Sequence, residues 1–331
     1  MAKTSPAPAS RAVILASFAA IYLIWGSTYL AIRIGIETMP PFLMAGFRFL
    51  GAGVPLYLVL RFRGAERPAT THWRSAVVLG VLMLAIGNGL VTWSELSVPS
   101  SIAAVIIATV PLWMTLLEVW PFRRASVTAS ALVGLTLRLA GVVVLVAPTG
   151  SQVAEVDPIA GLGLVIAALS WSLGSLLSRS MALPSSPLVL AAMQMSCGGV
   201  VLVLWGTVLG EWSGFEPGAV SLRSALALVY LIVFGSVVAL GAYAFLIRVT
   251  SAAAVSTYAF VNPVVAVVLG SAFAGEVLGP RAVLATVLVI SAVAFLLGKR
   301  LLRSAGETRR RRRAAERSAG EGQRSIRQAA G

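Results

Sequence analysis

Polar and helix-breaking residues interrupt several long apolar stretches of this sequence. The pair Asn262-Pro263 lies near the middle of YAFVNPVVAVVLG, and Pro111 lies in IATVPLWMT. Because proline lacks a backbone donor, each one frees the carbonyl of the residue four positions before it. Inside a membrane, an unpaired carbonyl is tolerated only where protein buries it or where it faces a water-filled cavity. The two prolines therefore indicate either a substrate site or a packing kink satisfied by a neighbouring helix.

Three further polar positions fall inside apolar stretches. Asn88 lies in GNG, where lining a site and bonding to a neighbouring helix are both open. Arg48 lies about two turns inside its stretch, where a charge costs about 2.5–3.5 kcal/mol and should face the interior or snorkel. We expect Arg48 to bind a ligand or to pair with carbonyls or an acid. Arg138, in LTLRLAG, is either a cavity-facing charge or a snorkelling side chain.

The acidic residues are informative through their positions. None of the 12 lies at the middle of an apolar stretch, although a proton-driven exporter often has a carboxylate there. Glu95, at the end of the third stretch, is the best candidate for proton coupling. The single His72 and the single Cys197 provide neither a metal-ligand spacing nor an internal disulfide. We therefore expect no metal, no cofactor and no catalytic residue.

The predicted substrate-binding residues are mostly polar or aromatic. Trp25 and Trp171 lie away from the ends of their stretches, unlike the tryptophans of an interfacial belt. Aromatic cavity walls and core packing are both open for them. Gln194 is included because it occupies the position in the second half that Arg48 has in the first. The predicted set is Trp25, Ser27, Tyr29, Arg48, Asn88, Thr109, Pro111, Trp171, Gln194, Tyr258, Asn262 and Pro263.

The composition is that of an integral membrane protein. The 331 residues are 58% hydrophobic and only 11% charged, with a mean hydropathy of +0.91, whereas a soluble domain needs far more charged surface. Apolar runs long enough to cross a bilayer core of about 30 Å recur along the chain. The sequence predicts an all-α fold with ten spans, at residues 13–32, 42–60, 76–95, 101–118, 128–147, 159–178, 188–209, 222–247, 252–274 and 281–299.

The positive charges predict the orientation of these spans. Of the 26 Lys and Arg residues, 21 fall on the side of the two termini and 3 on the other. Because positive loops stay inside, both termini, residues 1–12 and the tail 300–331, are predicted to be cytoplasmic. The tail is expected to be disordered, and its run Arg309–Arg313 is expected to anchor the topology and attract anionic lipid. Nucleic-acid binding is not expected, because no aromatic residues interleave this run.

The two halves of the chain resemble each other. At an offset of 146 residues Trp25 meets Trp171, and at an offset of 152 Pro111 meets Pro263. Each half, at 13–147 and 159–299, then holds five spans. Because five is odd, the second copy enters the membrane upside down relative to the first. Such inverted repeats, with interrupted helices in matching positions, are typical of secondary transporters.

Three segments resemble the EamA-domain branch of the drug/metabolite transporter superfamily, and within it most closely the YedA-type exporters. They are IYLIWGSTYLAIRIGIETMPPFLMAGFRFLGAG, GNGLVTWSELSVPSSIAAVIIATVP and YAFVNPVVAVVLGSAFAGE. The resemblance covers about residues 13–300 and implies ten spans, an inner-membrane location and export of small metabolites or amino acids by alternating access. Arg138 departs from the small residue expected at its position. The positions that match the motifs are Trp25, Gly26, Ser27, Arg48, Asn88, Glu95, Pro111, Asn262 and Pro263.

The sequence thus predicts a secondary transporter of the cell membrane that exports small organic solutes, such as amino acids, metabolites or drugs. The alternative is an uptake or exchange carrier for a phosphorylated or sugar-type metabolite. A non-transporting scaffold or receptor is the alternative of another class. An enzyme is not expected, because the spans lack the nucleophile, base or metal ligands that it would need. The expected partners are the solute and the bilayer, and the chain is a monomer or a homodimer.

Overall fold

The structure, a computed structural model, describes residues 10–119, 157–250 and 258–276, with the isolated residues 255, 280, 283, 284, 287 and 291. These ranges form helices and contain no strand. In the first half they are α1 (Arg11–Gly35), α2 (Pro41–Phe62), α3 (Thr70–Ser94), α4 (Ser100–Ile107) and α5 (Val110–Val119). In the second half they are α6 (Pro158–Leu177), α7 (Pro187–Val208), α8 (residues 222–249) and α9 (Tyr258–Phe273).

Prolines and polar caps mark where several helices begin. Pro41 and Pro187 start α2 and α7, a position where the missing donor costs nothing. Asp157 caps α6 through the amide of Ile159 at 2.9 Å, and Ser221 caps α8. The predicted starts of these four helices are within one residue of the observed ones.

The third predicted span begins too late. α3 starts at Thr70, six residues before the predicted 76, because its first turns are the polar sequence TTHWRS. A helix continues into polar residues wherever its backbone hydrogen bonds persist, so an apolar boundary underestimates its length.

Six helices among the described residues are long and apolar enough to cross a membrane: α1, α2, α3, α6 with its following turn, α7 and the first part of α8. Large apolar side chains cover the outside of the bundle, including Leu15, Val208 and Leu222, which are 68%, 84% and 75% exposed. Such a surface requires lipid rather than water around it. The predicted spans 128–147 and 281–299, Arg138 and the basic tail lie outside the described residues, apart from isolated positions in the last span.

π-Helical segments lie inside α3 and α8, at Gly80–Asn88 and Leu231–Val238. A π-helix bonds each amide to the carbonyl five residues back, which widens the turn and disturbs the carbonyl ladder. Long π segments are rare and concentrate at functional sites. Each half of the chain carries one, in its third helix.

The two predicted interruptions differ. α4 ends at Ile107 and α5 begins at Val110, so the fourth span is broken just before Pro111. In contrast, α9 continues through Pro263 as an unbroken α-helix. The prediction that Pro263 interrupts its helix is therefore wrong. Proline costs one hydrogen bond, and packing against a neighbouring helix can maintain the helical path around it.

Glycines bring α2 and α7 into close contact, and we call this contact the glycine seam. A Cβ atom added at Gly46 would lie 2.6 Å from Val203 Cγ2, and one added at Gly53 would lie 2.7 Å from the amide nitrogen of Ser196. At Gly199 a Cβ would lie 2.9 Å from the amide nitrogen of Leu50. Small residues allow helices in a membrane to approach this closely.

The bundle has two ends. The distal end carries the loops at 36–40, 95–99 and 209–221, and there the amide of Ser221 donates to Thr38 Oγ1 at 3.1 Å. The proximal end carries the start of α1 and the loops at 63–69 and 181–186, and there Ser185 donates to Glu66 at 3.4 Å. At both ends the two halves of the chain are in contact.

Candidate functional site

Arg48 occupies the interior of the bundle, which is one of the two placements that the sequence left open. Its side chain is only 6% exposed. Its Nε donates to Ser236 Oγ at 3.2 Å and its Nη1 donates to Asn88 Oδ1 at 3.4 Å. The guanidinium carbon lies 4.8 Å from the centre of the Phe49 ring. Asn88 ends the π segment of α3 and Ser236 lies in that of α8, so Arg48 connects the two π segments.

A crossed pair of hydrogen bonds connects the halves at the same π segments. Trp25 of α1 donates from Nε1 to the carbonyl of Gly235 in α8 at 3.2 Å. Ser170 of α6 donates to the carbonyl of Leu82 in α3 at 2.7 Å. The first helix of each half therefore satisfies a carbonyl in the π segment of the other half. These side chains explain how carbonyls in a π segment avoid remaining unpaired inside the bundle.

Trp171 lies beside the π segment of α3, next to the Ser170 contact. A Cβ added at Gly87 would be 3.5 Å from its ring. The two matched tryptophans, Trp25 and Trp171, therefore both contact a π segment of the opposite half. The structure thus assigns them to contacts between the halves, one by hydrogen bonding and one by packing.

Aromatic residues gather around Trp25. Its ring centre lies 5.3 Å from that of Tyr243 and 5.0 Å from that of Tyr258. Ser27 lies two residues after Trp25 in α1, and its hydroxyl is 2.6 Å from that of Tyr230 in α8. The predicted residues Trp25, Ser27 and Tyr258 are thus brought together where α1 meets α8 and α9.

Asn262 is buried between α9 and α1 rather than lining an open space. It is 7% exposed. In the orientation that satisfies the amide, its nitrogen donates to the carbonyls of Tyr22 at 3.3 Å and Tyr258 at 3.1 Å. Nearby, a Cβ added at Gly26 would lie 2.6 Å from Val265 Cβ. The amide next to Pro263 therefore holds two tightly packed helices together.

The break before Pro111 is bounded by side-chain hydrogen bonds. Thr109 donates to the carbonyl of Ile106 at 2.6 Å and accepts from Trp113 Nε1 at 3.1 Å. From the other half, Ser172 of α6 donates to the carbonyl of Val110 at 3.1 Å. The turn is thus held by its own residues and by a helix of the second half.

Glu95 follows directly after α3 and is fully buried. Neither carboxylate oxygen has a hydrogen-bond partner among the described residues. Tyr29, Arg33, Arg48 and Glu276 lie close enough to interact electrostatically with it. Burying an ionised carboxylate without donors costs several kcal/mol, which makes this position unusual for a purely structural residue.

Two other acids cap helices of the opposite half at the distal end, and we call them the distal caps. Glu276, after α9, accepts hydrogen bonds from the amides of Ser100 and Ser101 at 2.8 and 3.1 Å and from their hydroxyls. Glu211, after α7, accepts from the amides of Phe42 and Leu43 at 3.2 and 2.8 Å. Helix N-termini carry unpaired amides and partial positive charge, so carboxylates stabilise them there.

A cavity of about 400 Å³ also opens at the distal end. Residues lining it include Arg33, Glu37, Leu96, Arg223 and Phe273, and none of the predicted substrate-binding residues is among its lining. Gln194 of α7 makes no side-chain hydrogen bond within the described ranges. Among those same residues, no group of His, Cys, Asp or Glu side chains is placed to hold a metal ion.

The sequence analysis missed several residues of these contacts. Ser236 and Ser170 were not among the predicted residues, although each places a hydroxyl inside an apolar stretch, as the predicted Ser27 and Thr109 do. Glu211 and Glu276 were not among the predicted residues either. Their capping roles depend on which helix of the other half starts beside them, and the sequence carries no signal for that.

Comparison with known proteins identifies the family. A model of the EamA-like transporter family matches residues 10–147 and again residues 158–298. The uncharacterized inner membrane transporter YedA of Escherichia coli K12 is 40% identical over 286 residues, covering 85% of this chain and 90% of that protein. The uncharacterized transporter YvbV of Bacillus subtilis is 26% identical over 292 residues, covering 87% and 92%.

A solved crystal structure shows the same fold. It shares 20% sequence identity and has a TM-score of 0.59, covering 88% of this chain and 99% of the other. At this identity the likeness concerns the fold alone. The helical bundle, the apolar surface and the two family matches agree with one another, and this chain belongs to the EamA-like transporter family of membrane transporters.

Proposed function

We propose that this transporter is a secondary carrier that exports small organic solutes, such as amino acids, metabolites or drugs, by alternating access. One observation carries the proposal: polar side chains of both halves meet at the two π segments inside an apolar bundle. The Arg48, Asn88 and Ser236 contacts and the crossed bonds of Trp25 and Ser170 all join the halves there. A solute bound between the π segments would touch both halves and respond to their relative position.

The distal caps support the alternating part of the proposal. Glu276 and Glu211 hold the start of α4 and α2 from the opposite half, so they join the two halves at the distal end in this conformation. Opening that end would replace the hydrogen bonds between these carboxylates and the helix amides with hydrogen bonds to water. Such an exchange costs only a few kcal/mol, because hydrogen bonds to water offset most of those that are lost. The two conformations of a carrier need a small difference of this kind.

The topology is part of the proposal. Ten spans arranged as two inverted repeats of five fit the two family matches and the equal start and length of α2 and α7 at an offset of 146 residues. The positive charges then favour cytoplasmic termini and a distal end that faces outward. The basic tail would lie against anionic lipid.

The decisive experiment compares the medium around cells that express the wild type with cells that express a lockable variant. In a Cys197→Ala background, Thr38→Cys and Ser221→Cys place two thiols across the halves, where the native residues are hydrogen bonded at 3.1 Å. A short bifunctional thiol reagent should hold the distal end closed. Untargeted mass spectrometry should then show solutes that accumulate outside with the free variant and not with the bridged one.

A matched control places the bridge within one half. Thr207→Cys and Trp212→Cys, in the same background, join exposed positions that are also hydrogen bonded, at 2.7 Å. Bridging this pair should leave export unchanged. If both bridged variants export as well as the unbridged protein, the distal end does not open and alternating access through it is wrong.

The same assay separates the alternatives. Solutes that are depleted from the medium would favour the uptake or exchange carrier, and an unchanged broad panel of solutes would favour the scaffold or receptor. Vesicles with and without an imposed pH gradient test proton coupling at Glu95. Transport rates that ignore the gradient, or that respond equally in Glu95→Gln, would remove Glu95 from that role.

A further inference from the structure

The guanidinium of Arg48 is buried among neutral partners. Its hydrogen bonds go to the hydroxyl of Ser236 and the amide oxygen of Asn88, and the Phe49 ring lies beside it. These groups orient the side chain without neutralising its charge. Buried charges in proteins are normally paired, because an isolated one carries a large desolvation cost.

No acid pairs with Arg48 among the described residues. The ion pair that those residues show, between Arg223 and Glu37 at 3.7 Å, is partly exposed and lies at the distal end. Glu95 is near enough to interact with Arg48 through its charge, yet neither oxygen of Glu95 is hydrogen bonded. The charge of Arg48 thus remains available for a ligand.

The hydrogen-bonding capacity of Arg48 is also incompletely used. A guanidinium has five N–H donors in a planar fork, and two of its nitrogens are engaged here. The third nitrogen, Nη2, faces Gly235, where an added Cβ would lie 3.3 Å away. Gly235 therefore packs closely against this edge of the fork, where an added Cβ would also lie 3.0 Å from Thr28 Cγ2. Such an edge binds a carboxylate through two parallel hydrogen bonds.

We propose that Arg48 binds the carboxylate of the transported solute, at a site formed with Asn88 and Ser236 and beside Gly235. The proposal rests on the transport function proposed above and names the chemical class of its solute. A carboxylate fits better than a phosphate dianion because of its charge. Among the described residues, Arg48 is the one buried cation at the π segments, and its single positive charge matches the single negative charge of a carboxylate. The aromatic group of Trp25, Tyr243 and Tyr258, which the hydrogen bond of Trp25 joins to Gly235, would provide apolar surface for the body of the solute.

This site also accounts for coupling between binding and conformation. Arg48 and Asn88 belong to the first half, whereas Ser236 and Gly235 belong to the second. A carboxylate held by Arg48 therefore lies across the contact that must change when the halves move. Binding would compensate the charge that is left without a partner in the unliganded protein.

The test uses the purified full-length protein and a panel of carboxylates of graded size, each with its neutral primary amide, for example 3-phenylpropionate and 3-phenylpropionamide. Solutes found in the export assay join the panel, and inorganic phosphate serves as the competing anion. Affinities come from the ligand-dependent rise in Tm. At least one acid should bind wild type more tightly than its amide, by at least about 30-fold.

Variants connect that preference to Arg48. Arg48→Gln should bind acid and amide alike, and Arg48→Lys should keep a smaller preference because it retains the charge without the planar fork. Arg223→Gln is the control, since Arg223 is an exposed cation paired with Glu37 at the distal end, and it should keep the full preference. The comparison of each acid with its amide is made on the wild-type protein, so the proposal can still be tested if Arg48→Gln fails to fold.

Three results would overturn the proposal. They are equal affinity for every acid and its amide, an acid preference that survives Arg48→Gln, and displacement of the acid by phosphate at equal concentration. Equal export of acids and amides would refute the role of Arg48 and would leave the proposed transport function standing. An acid preference in a protein that exports nothing would refute the proposed function instead and leave Arg48 as an anion site.

Discussion

Pro111 and Pro263 align when the sequences of the two halves are compared at an offset of 152 residues, yet the helices around them differ. The first half is broken at Ala108 and Thr109, whereas α9 passes through Pro263 without interruption. At the break, a threonine hydroxyl satisfies a carbonyl of its own turn. At Pro263, the neighbouring Asn262 bonds to a carbonyl of its own helix and to one of α1. Proline permits an interruption, and the contacts beside it decide whether one forms.

The two proline-bearing segments are joined at the distal end, and removing this connection should have the largest effect. Glu276 follows α9 and accepts four hydrogen bonds at the start of α4. Glu276→Ala should lower the free energy of unfolding by about 2–3 kcal/mol, because charged hydrogen bonds to a helix N-terminus are lost. Unfolding in mixed micelles and the Tm measure this change.

The control for that variant is Glu216→Ala, which removes an exposed acid at the same end. Its side chain makes no hydrogen bond within the described ranges, so the Tm should stay unchanged. Equal losses of stability in both variants would mean that the capping contact contributes nothing specific.

Replacing each proline by alanine compares the two helices directly. Pro111→Ala restores an amide that can bond to Ile107, so the break should close and the export rate should fall about tenfold, or about 1.4 kcal/mol in barrier. Pro263→Ala should change the rate less than about twofold, since α9 is already continuous. Initial export rates at equal membrane level, with amide hydrogen exchange over residues 106–112, measure both effects. A larger loss from Pro263→Ala would reverse the comparison.

The smallest expected effects concern the side chains beside the prolines. Asn262→Ala removes the bonds to the Tyr22 and Tyr258 carbonyls and should cost about 1 kcal/mol, a common value between membrane helices. Thr109→Val removes a bond within one turn and should cost less than that. The Tm values of the two variants rank them. A more stable Asn262→Ala would contradict the role of Asn262 in joining α9 to α1.

Much of the helical framework could be predicted because it depends on local signals. The length of the apolar stretches predicted α1, α2, α6, α7 and α8. Prolines or capping residues mark where several of these helices begin. The cost of placing a charge in lipid predicted that Arg48 either faces the interior or snorkels, and the structure shows the first of these. The family followed from motifs and was then confirmed by the comparisons.

The rest depended on contacts between distant residues. GVLMLAIGN and LIVFGSVV are apolar like their surroundings, so nothing marked them as π-helical. The burial of Glu95 and the capping role of Glu276 arise from helices that approach from elsewhere in the chain. The failed expectation at Pro263 has the same origin, because the hydrogen bond of Asn262 to α1 and the tight packing at Gly26 exist only where α1 lies beside α9.

The glycine seam between α2 and α7 restricts how this molecule can rearrange. One helix belongs to each half, and their backbones nearly touch at Gly46, Gly53 and Gly199. Because no side chains stand between them there, the helices can come no closer, and separating them would open an empty gap. A movement of one half against the other that keeps these contacts would turn about the line of the seam. Displacements would be smallest along the seam and would grow with distance from it, reaching the distal caps and the proximal loops in opposite directions.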